Sequence, residues 1–314
     1  MPEPRCVPLP DRGILRLSGE DARSFLQGLI SNDVDRLAPD RALHAALLTP
    51  QGKYLFDFML HERKGGEILL DAERDRLPAL VQRLTMYRLR ADVTIADASH
   101  ELGVLAVLGE AAPAAFGLPA APGAARLVGD DAATAVVAVD PRAAALGVRV
   151  VLPRDAVPRF RAEHGLAEGE LADWDRLRLE QGVPDGSRDL VVERSLLLES
   201  GFEELGGVSF TKGCFVGQEL TARTKHRGLV KKRLVPVRIH GPLPAVGTVV
   251  RRGEREAGEM RSSVSGADGT DGIGLALLRL EQLTPMAAAS GPLRAGEATL
   301  TPAPPLWLEL TAQD

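Results

Sequence analysis

Apolar positions recur along this chain with two periods, and its elements change where the period changes. ILRL (Ile14–Leu17) reads as a short strand. Ser18, three residues ahead of Asp21, opens a helix expected to carry Phe25, Leu26, Leu29 and Ile30 on one face. HAALL and YLFDFML flank TPQGK, which has hairpin chemistry, and ILLD follows as another strand. Leu77, Leu80, Val81 and Leu84 form a helical stripe, after which VTIAD returns as a strand. From about Glu101 a second pass of the same kind begins. LGVLAVLG, TAVVAV and VRVVL are its strands, and a helix is expected near Asp155–His164. Between them the Ala-, Gly- and Pro-rich stretch from Ala111 to Ala125 predicts a short helix and a loop.

LADWDRLRLEQG reads as a helix stopped by Gly182 and Pro184. After Lys232 the texture changes to short strands, LVPVRI, GTVV, GIGLALL and LWLEL, between Gly/Pro-rich turns without a strong helix signal. That is how a small antiparallel barrel or sandwich reads. The expectation is an α+β chain in three parts, residues 1–98, 99–235 and 236–314: two α/β modules, then a β-barrel.

Composition narrows the function classes. Hydrophobic residues make up 45% of the 314, enough for ordinary cores. There is no run of about 18 uninterrupted apolar residues, so no membrane partner is expected. MPEPRCVPLPDRG lacks the apolar core of a signal peptide and is a poor transit peptide, which leads to a cytoplasmic expectation. A formal charge of −5 argues against a general nucleic-acid coat but leaves room for a local basic site. The only two cysteines, Cys6 and Cys214, lie far apart and outside any CxxC. A disulfide framework is not expected, nor a metal cluster held by this chain alone.

The densest chemistry lies in SFTKGCFVGQELTARTKHRGLVKKRL, Ser209 to Leu234. Gly213 and Gly217 bracket Cys214, and glycine permits positive φ and close backbone approach. QELTARTKH suits a helix, with Glu219 four residues before Arg223 as a supporting pair. A helix start and Lys212 near Cys214 would favour its thiolate. The alternative is that Cys214 is a small buried hydrophobe beside Phe215 and Val216.

The segment resembles the signature of the YgfZ family, folate-binding proteins of iron–sulfur cluster maturation related to the glycine-cleavage T-protein, an aminomethyltransferase. The matching residues are Lys212, Gly213, Cys214, Phe215, Gly217, Gln218, Glu219, Arg223, Arg227 and Gly228. FLQGLISNDV, LLTPQGKYLFDF and RLRLEQGVPDG extend the resemblance over most of the first 235 residues. It implies two α/β modules of the T-protein type around a central channel, closed by the barrel. It departs at SLLLESGFEEL, where a polar contact of the family is missing, and at Phe56-Asp57, where T-proteins carry paired aspartates.

The resemblance implies a tetrahydrofolate or a polyglutamylated derivative as cofactor, and iron–sulfur client or carrier proteins as partners. A pterin edge presents two adjacent donors that one carboxylate accepts, while an apolar face covers the ring. By resemblance Glu180 is the pterin-binding acid and Trp174 a tryptophan associated with folate. Their bland alternatives are a solvated helix-end acid and a core residue packed with Leu177. Asp57, a lone acid within YLFDFML, is either buried and hydrogen-bonded or opens onto a cavity, because an unpaired buried charge is expensive; the bland alternative is an edge-strand position facing water. Cys214, Lys212 and Asp57 are the candidate reactive groups; Gln218 and Glu219 of the signature join the candidate pocket. Arg223, Lys225, Arg227, Lys231, Lys232 and Arg233 form a basic run suited to a glutamate tail or to a solvated charged face. An RNA reading is weak, since aromatic residues are only 4%. Three functions are therefore open: a folate-dependent maturation factor, a folate-dependent one-carbon transferase, and a tRNA-modification accessory protein. Asp57 without a second aspartate counts against the transferase.

Overall fold

The computed structural model describes residues 4–109, 111–129, 134–266, 271–305 and 307–308. The chain runs β1 (Arg5–Pro8), β2 (Arg12–Ser18), α1 (Ala22–Gln27), β3 (Leu43–Leu48), β4 (Tyr54–Glu62), β5 (Ile68–Glu73), α2 (Leu77–Arg88) and β6 (Thr94–Asp97). It continues with β7 (Leu102–Leu108), α3 (Ala112–Ala115), β8 (Ala125–Val128), β9 (Ala135–Val139), β10 (Val148–Pro153), α4 (Val157–Glu163) and β11 (Ala167–Glu168). The first sheet has the order β3-β4-β5-β2-β6, and the second β8-β9-β10-β7-β1-β11. Setting β1 aside, the two orders correspond strand for strand, so the repeated element order is a repeated topology. β1 is the insertion, antiparallel to β7 and parallel to β11.

The predicted hairpin forms: β3 and β4 are neighbours, and at its tip the Thr49 amide donates to the Lys53 carbonyl at 2.8 Å. The first helix is shorter than expected. α1 ends at Gln27, so Leu29 and Ile30 follow it in a turn and are buried there. Every position of β4 is buried, on both faces. The second sheet covers its outer face with α3 and α4. Phe116 and Phe160, stacked 5.8 Å apart, pack there with Cys6, Val107, Val137 and Val150.

α5 (Leu171–Glu180) and α6 (Gln218–His226) precede the barrel strands β12 (Lys232–His240), β13 (Val249–Arg252), β14 (Arg255–Ser265) and β15 (Asp271–Arg279). After α7 (Pro285–Ala289) come β16 (Leu293–Ala295) and β17 (Ala298–Pro302). The barrel closes in the order β12-β15-β14-β13-β16-β17, every pairing antiparallel. Val235, Val237, Ile239, Met260, Leu278 and Leu300 fill it. β14, β16, β17 and the short α7 were not expected from the pattern. The expected LWLEL strand falls mostly outside the described residues, at Leu306, Glu309 and Leu310.

The chain forms two compact units. The first holds both sheets and the segment Leu205–Val216; the second holds Thr49–Tyr54, Asp175–Glu204 and the chain from Gly217 onward.

Candidate functional site

In the first unit the signature segment is stitched to the turn that follows α1. The Ser31 hydroxyl donates to the Gly207 carbonyl at 2.6 Å, and the Asn32 amide to the Gly206 carbonyl at 2.7 Å. Lys212 donates to three carbonyls, those of Gln27, Ile30 and Asn32, at 2.7, 2.8 and 2.7 Å. Its ammonium also lies 5.3 Å from the centre of the Phe215 ring. Burial pushes Lys212 down to about 8, against the pull of Asp33 and Asp35, so it remains largely charged at neutral pH. Lys212 and Phe215 are buried, whereas Gly213 and Cys214 between them are exposed. The cysteine therefore sits on an outward knuckle between two inner anchors, not among buried hydrophobes.

The glycines divide. Gly217 has φ 83° and caps α6. Gly213 has no positive φ, and a Cβ built there meets nothing within 4 Å.

Asp57 is buried on β4, with a carboxylate oxygen 3.6 Å from Nε2 of buried His44. Burial lowers the pKa of His44, more than Asp57 raises it, which favours the neutral ring. Nearby in this unit is a buried ionic network that the sequence reading did not single out. Asp71 accepts from Arg12 at 2.8 Å and from Arg149; Asp140 accepts from Arg142 at 2.8 and 2.9 Å. These arginines hold both carboxylates below the usual range against a large burial effect, Asp140 at about 2. Trp174 is buried beneath the network, its ring centre 5.8 and 5.9 Å from the Arg142 and Arg149 guanidiniums. The available signal was a lone charge in an apolar strand. Asp71 in ILLD and Arg149 in VRVVL carry it as plainly as Asp57 does.

In the second unit α6 carries the basic run. Arg223 pairs with Glu219, the expected helical pair, and Lys225 pairs with Glu203. Arg233 pairs with Glu204 at 2.7 Å. Arg227 and Lys231 are exposed, while Lys232 and Gln218 are half-buried. Glu180 lines a cleft of about 1020 Å³ together with Arg176, Arg238, Asp271 and Trp307. The Trp307 indole is fixed by donating to the Gln181 carbonyl at 2.9 Å. Trp174 and Glu180 thus share α5 but face different surroundings: an arginine network and an open cleft. The cleft offers two carboxylates, two guanidiniums and an indole to one ligand. Arg176 lies in RLRLEQG four residues before Glu180 but was not singled out, and Arg238 and Trp307 lie in segments read only as strands.

Comparison with known proteins places the chain in a family. The mouse protein "Iron-sulfur cluster assembly factor IBA57, mitochondrial" is 37% identical over 301 residues, covering 88% of this chain and 78% of the mouse protein. Its human counterpart is 38% identical over 296 residues, with the same coverage of each chain. The chain belongs to the IBA57 family. The resemblance had pointed to the related YgfZ family, and these relatives name the family more closely. A family profile described as "CAF17, C-terminal beta-barrel domain" matches residues 231–310, which contain the barrel. The crystal structure of glycine cleavage system aminomethyltransferase T from Bartonella henselae superposes with a TM-score of 0.73 at 15% identity. It covers 98% of this chain and 87% of that one, so the fold of this IBA57-family chain is the T-protein fold. The cytoplasmic expectation is corrected: the mouse and human relatives and that from Coccidioides immitis are named mitochondrial.

Proposed function

We propose that this chain is an iron–sulfur cluster assembly factor that binds a tetrahydrofolate and works through the Cys214 thiol on client or carrier proteins. The relationship to the mouse and human assembly factors over 88% of the chain carries the first part. The exposed position of Cys214 supports the second, because a thiol that meets a macromolecular partner has to be reachable. The cleft around Glu180 supports the folate. A carboxylate there can accept both donors of a pterin edge, Trp307 can cover a ring face, and Arg176 and Arg238 can meet tail carboxylates. Its volume suits a ligand of that size.

Calorimetric titration with tetrahydrofolate tests the pocket. Glu180→Gln loses charge assistance and one acceptor, and affinity should fall by roughly 1.5–3 kcal/mol. Equal affinity of both proteins removes Glu180 from the site. Cys214→Ser should fold normally yet fail to restore iron–sulfur enzyme activities in a deletion strain; full restoration rejects the thiol. Turnover of methylene-tetrahydrofolate by the purified chain would favour the one-carbon transferase instead.

A further inference from the structure

α2 buries Leu77, Leu80 and Leu84 and should end quietly in solvent. It does the opposite. Met86 in its last turn is 64% exposed, and Leu89 just after it is 87% exposed. Leu89 has φ 45° and ψ −106°, and only Glu193 shares a positive φ among described non-glycine residues. Glycine is the usual residue at a helix end of this kind and would sit there without strain. Packing cannot be what retains leucine, since the side chain is exposed. Strain kept without a packing return is a mark of function.

The surrounding charge says what the tip meets. Arg88 and Arg90 flank Leu89 and are exposed, and Arg83 lies one turn before Met86. Arg88 reaches only the Val93 carbonyl among the described residues, at 3.4 Å. Among the described residues none of these three arginines has an acidic partner, whereas Arg223, Lys225 and Arg233 each have one. In a chain of formal charge −5 this is an unusual place: two outward apolar side chains bracketed by guanidiniums without an acidic partner among the described residues.

We infer that the end of α2 is a peripheral docking site for an anionic lipid surface, a function beyond the folate and thiol chemistry and in place of the expectation of no membrane partner. Leu89 and Met86 enter the boundary between headgroups and acyl chains, and the arginines stay at the level of the lipid phosphates. An acidic protein would share the charge pattern. A stable protein interface, however, needs about 1,000 Å² of complementary surface, and two protruding side chains do not supply it.

The test is sedimentation of the full chain with extruded vesicles at low salt, phosphatidylcholine alone against a 7:3 mixture with phosphatidylglycerol. Binding is expected only to the anionic vesicles. Leu89→Gly, which relieves the backbone, should keep or raise the melting temperature and lower the bound fraction at least about fivefold. Arg88→Gln with Arg90→Gln should do the same to binding. Lys231→Gln with Lys232→Gln, in the other basic run, should leave it unchanged. Absence of binding to anionic vesicles, or wild-type binding by Leu89→Gly, overturns the inference, as does a requirement for Lys231 and Lys232. If the arginine pair matters but Leu89 does not, the site is electrostatic and suits an acidic protein instead.

Discussion

Cys6 and Cys214 are the same functional group in opposite settings. Burial pushes the Cys6 thiol up to about 11, with only partial relief from Arg161. Cys214 stands in solvent. Only the thiolate alkylates, so iodoacetamide at pH 7.5 should label Cys214 at least about tenfold faster than Cys6. Mass-resolved labelling reads this directly, and a Cys214 that labels only after denaturation contradicts it. Lys212 holds the knuckle in place, with its ammonium on three carbonyls of the Gln27–Asn32 turn. Lys212→Met removes the donor from all three and should cost roughly 2–4 kcal/mol. A nitroxide placed on Cys214 should then give a sharper, more mobile spectrum well below the melting temperature. If Lys212 served mainly to activate the thiol, the spectrum would stay broad while the midpoint of the alkylation pH profile rose.

At the scale of elements, the glycines around the signature separate backbone need from open space. Gly52, at the tip of the β3–β4 hairpin, has φ 69°, and a Cβ there would lie 2.9 Å from the Gly217 carbonyl oxygen. Gly52→Ala therefore strains the backbone and pushes the tip off α6, for a cost of roughly 1–3 kcal/mol. Gly213→Ala meets open space and should change stability by less than about 0.5 kcal/mol. Denaturant midpoints of the two variants check both figures. These elements also show what was legible. α6 runs from Gln218 to His226, as QELTARTKH suggested, because a glycine cap and a local ion pair are written in adjacent residues. β14 was missed because REAGEMRSSVS is polar, and it is a strand only through its neighbours β13 and β15 and an irregular register between Met260 and Ser263. The cleft around Glu180 was only partly legible. Its acid sits in a motif, but Arg238 comes from barrel strand β12 and Trp307, beyond the last strand, is held by the Gln181 carbonyl, which no local pattern encodes. Trp174 was expected at a folate or in a core with Leu177; it is buried, and its arginine neighbours are distant in sequence.

For the molecule as a whole, the buried charges of the first unit set its response to acid. Arg149 on β10 reaches Asp71 on β5, so a buried ion pair joins the two sheets. His61 lies wholly buried beside this network, and among the described residues neither ring nitrogen has a hydrogen-bond partner. Burial pushes its pKa down to about 4; Asp71 and Asp140 pull it up, while Arg149 and Arg12 add to the fall. The unfolded chain takes up this proton near pH 6.5, whereas the folded chain resists it until about 4. The unfolded state then binds more protons across that window, so stability falls as pH drops from about 6.5 to 4, by roughly 3 kcal/mol for this residue alone. Asp140, held at about 2, adds a second loss only below about pH 4, as the unfolded carboxylate protonates first. His61→Gln is the informative variant, because it keeps polarity and approximate size without a titrating ring. Denaturant midpoints for wild type and His61→Gln from pH 8 to 4 should run parallel above about pH 7 and diverge below it, with the variant the flatter curve. Curves that stay parallel down to pH 4 would show that His61 is protonated in the folded chain and that the acid response begins with the carboxylates.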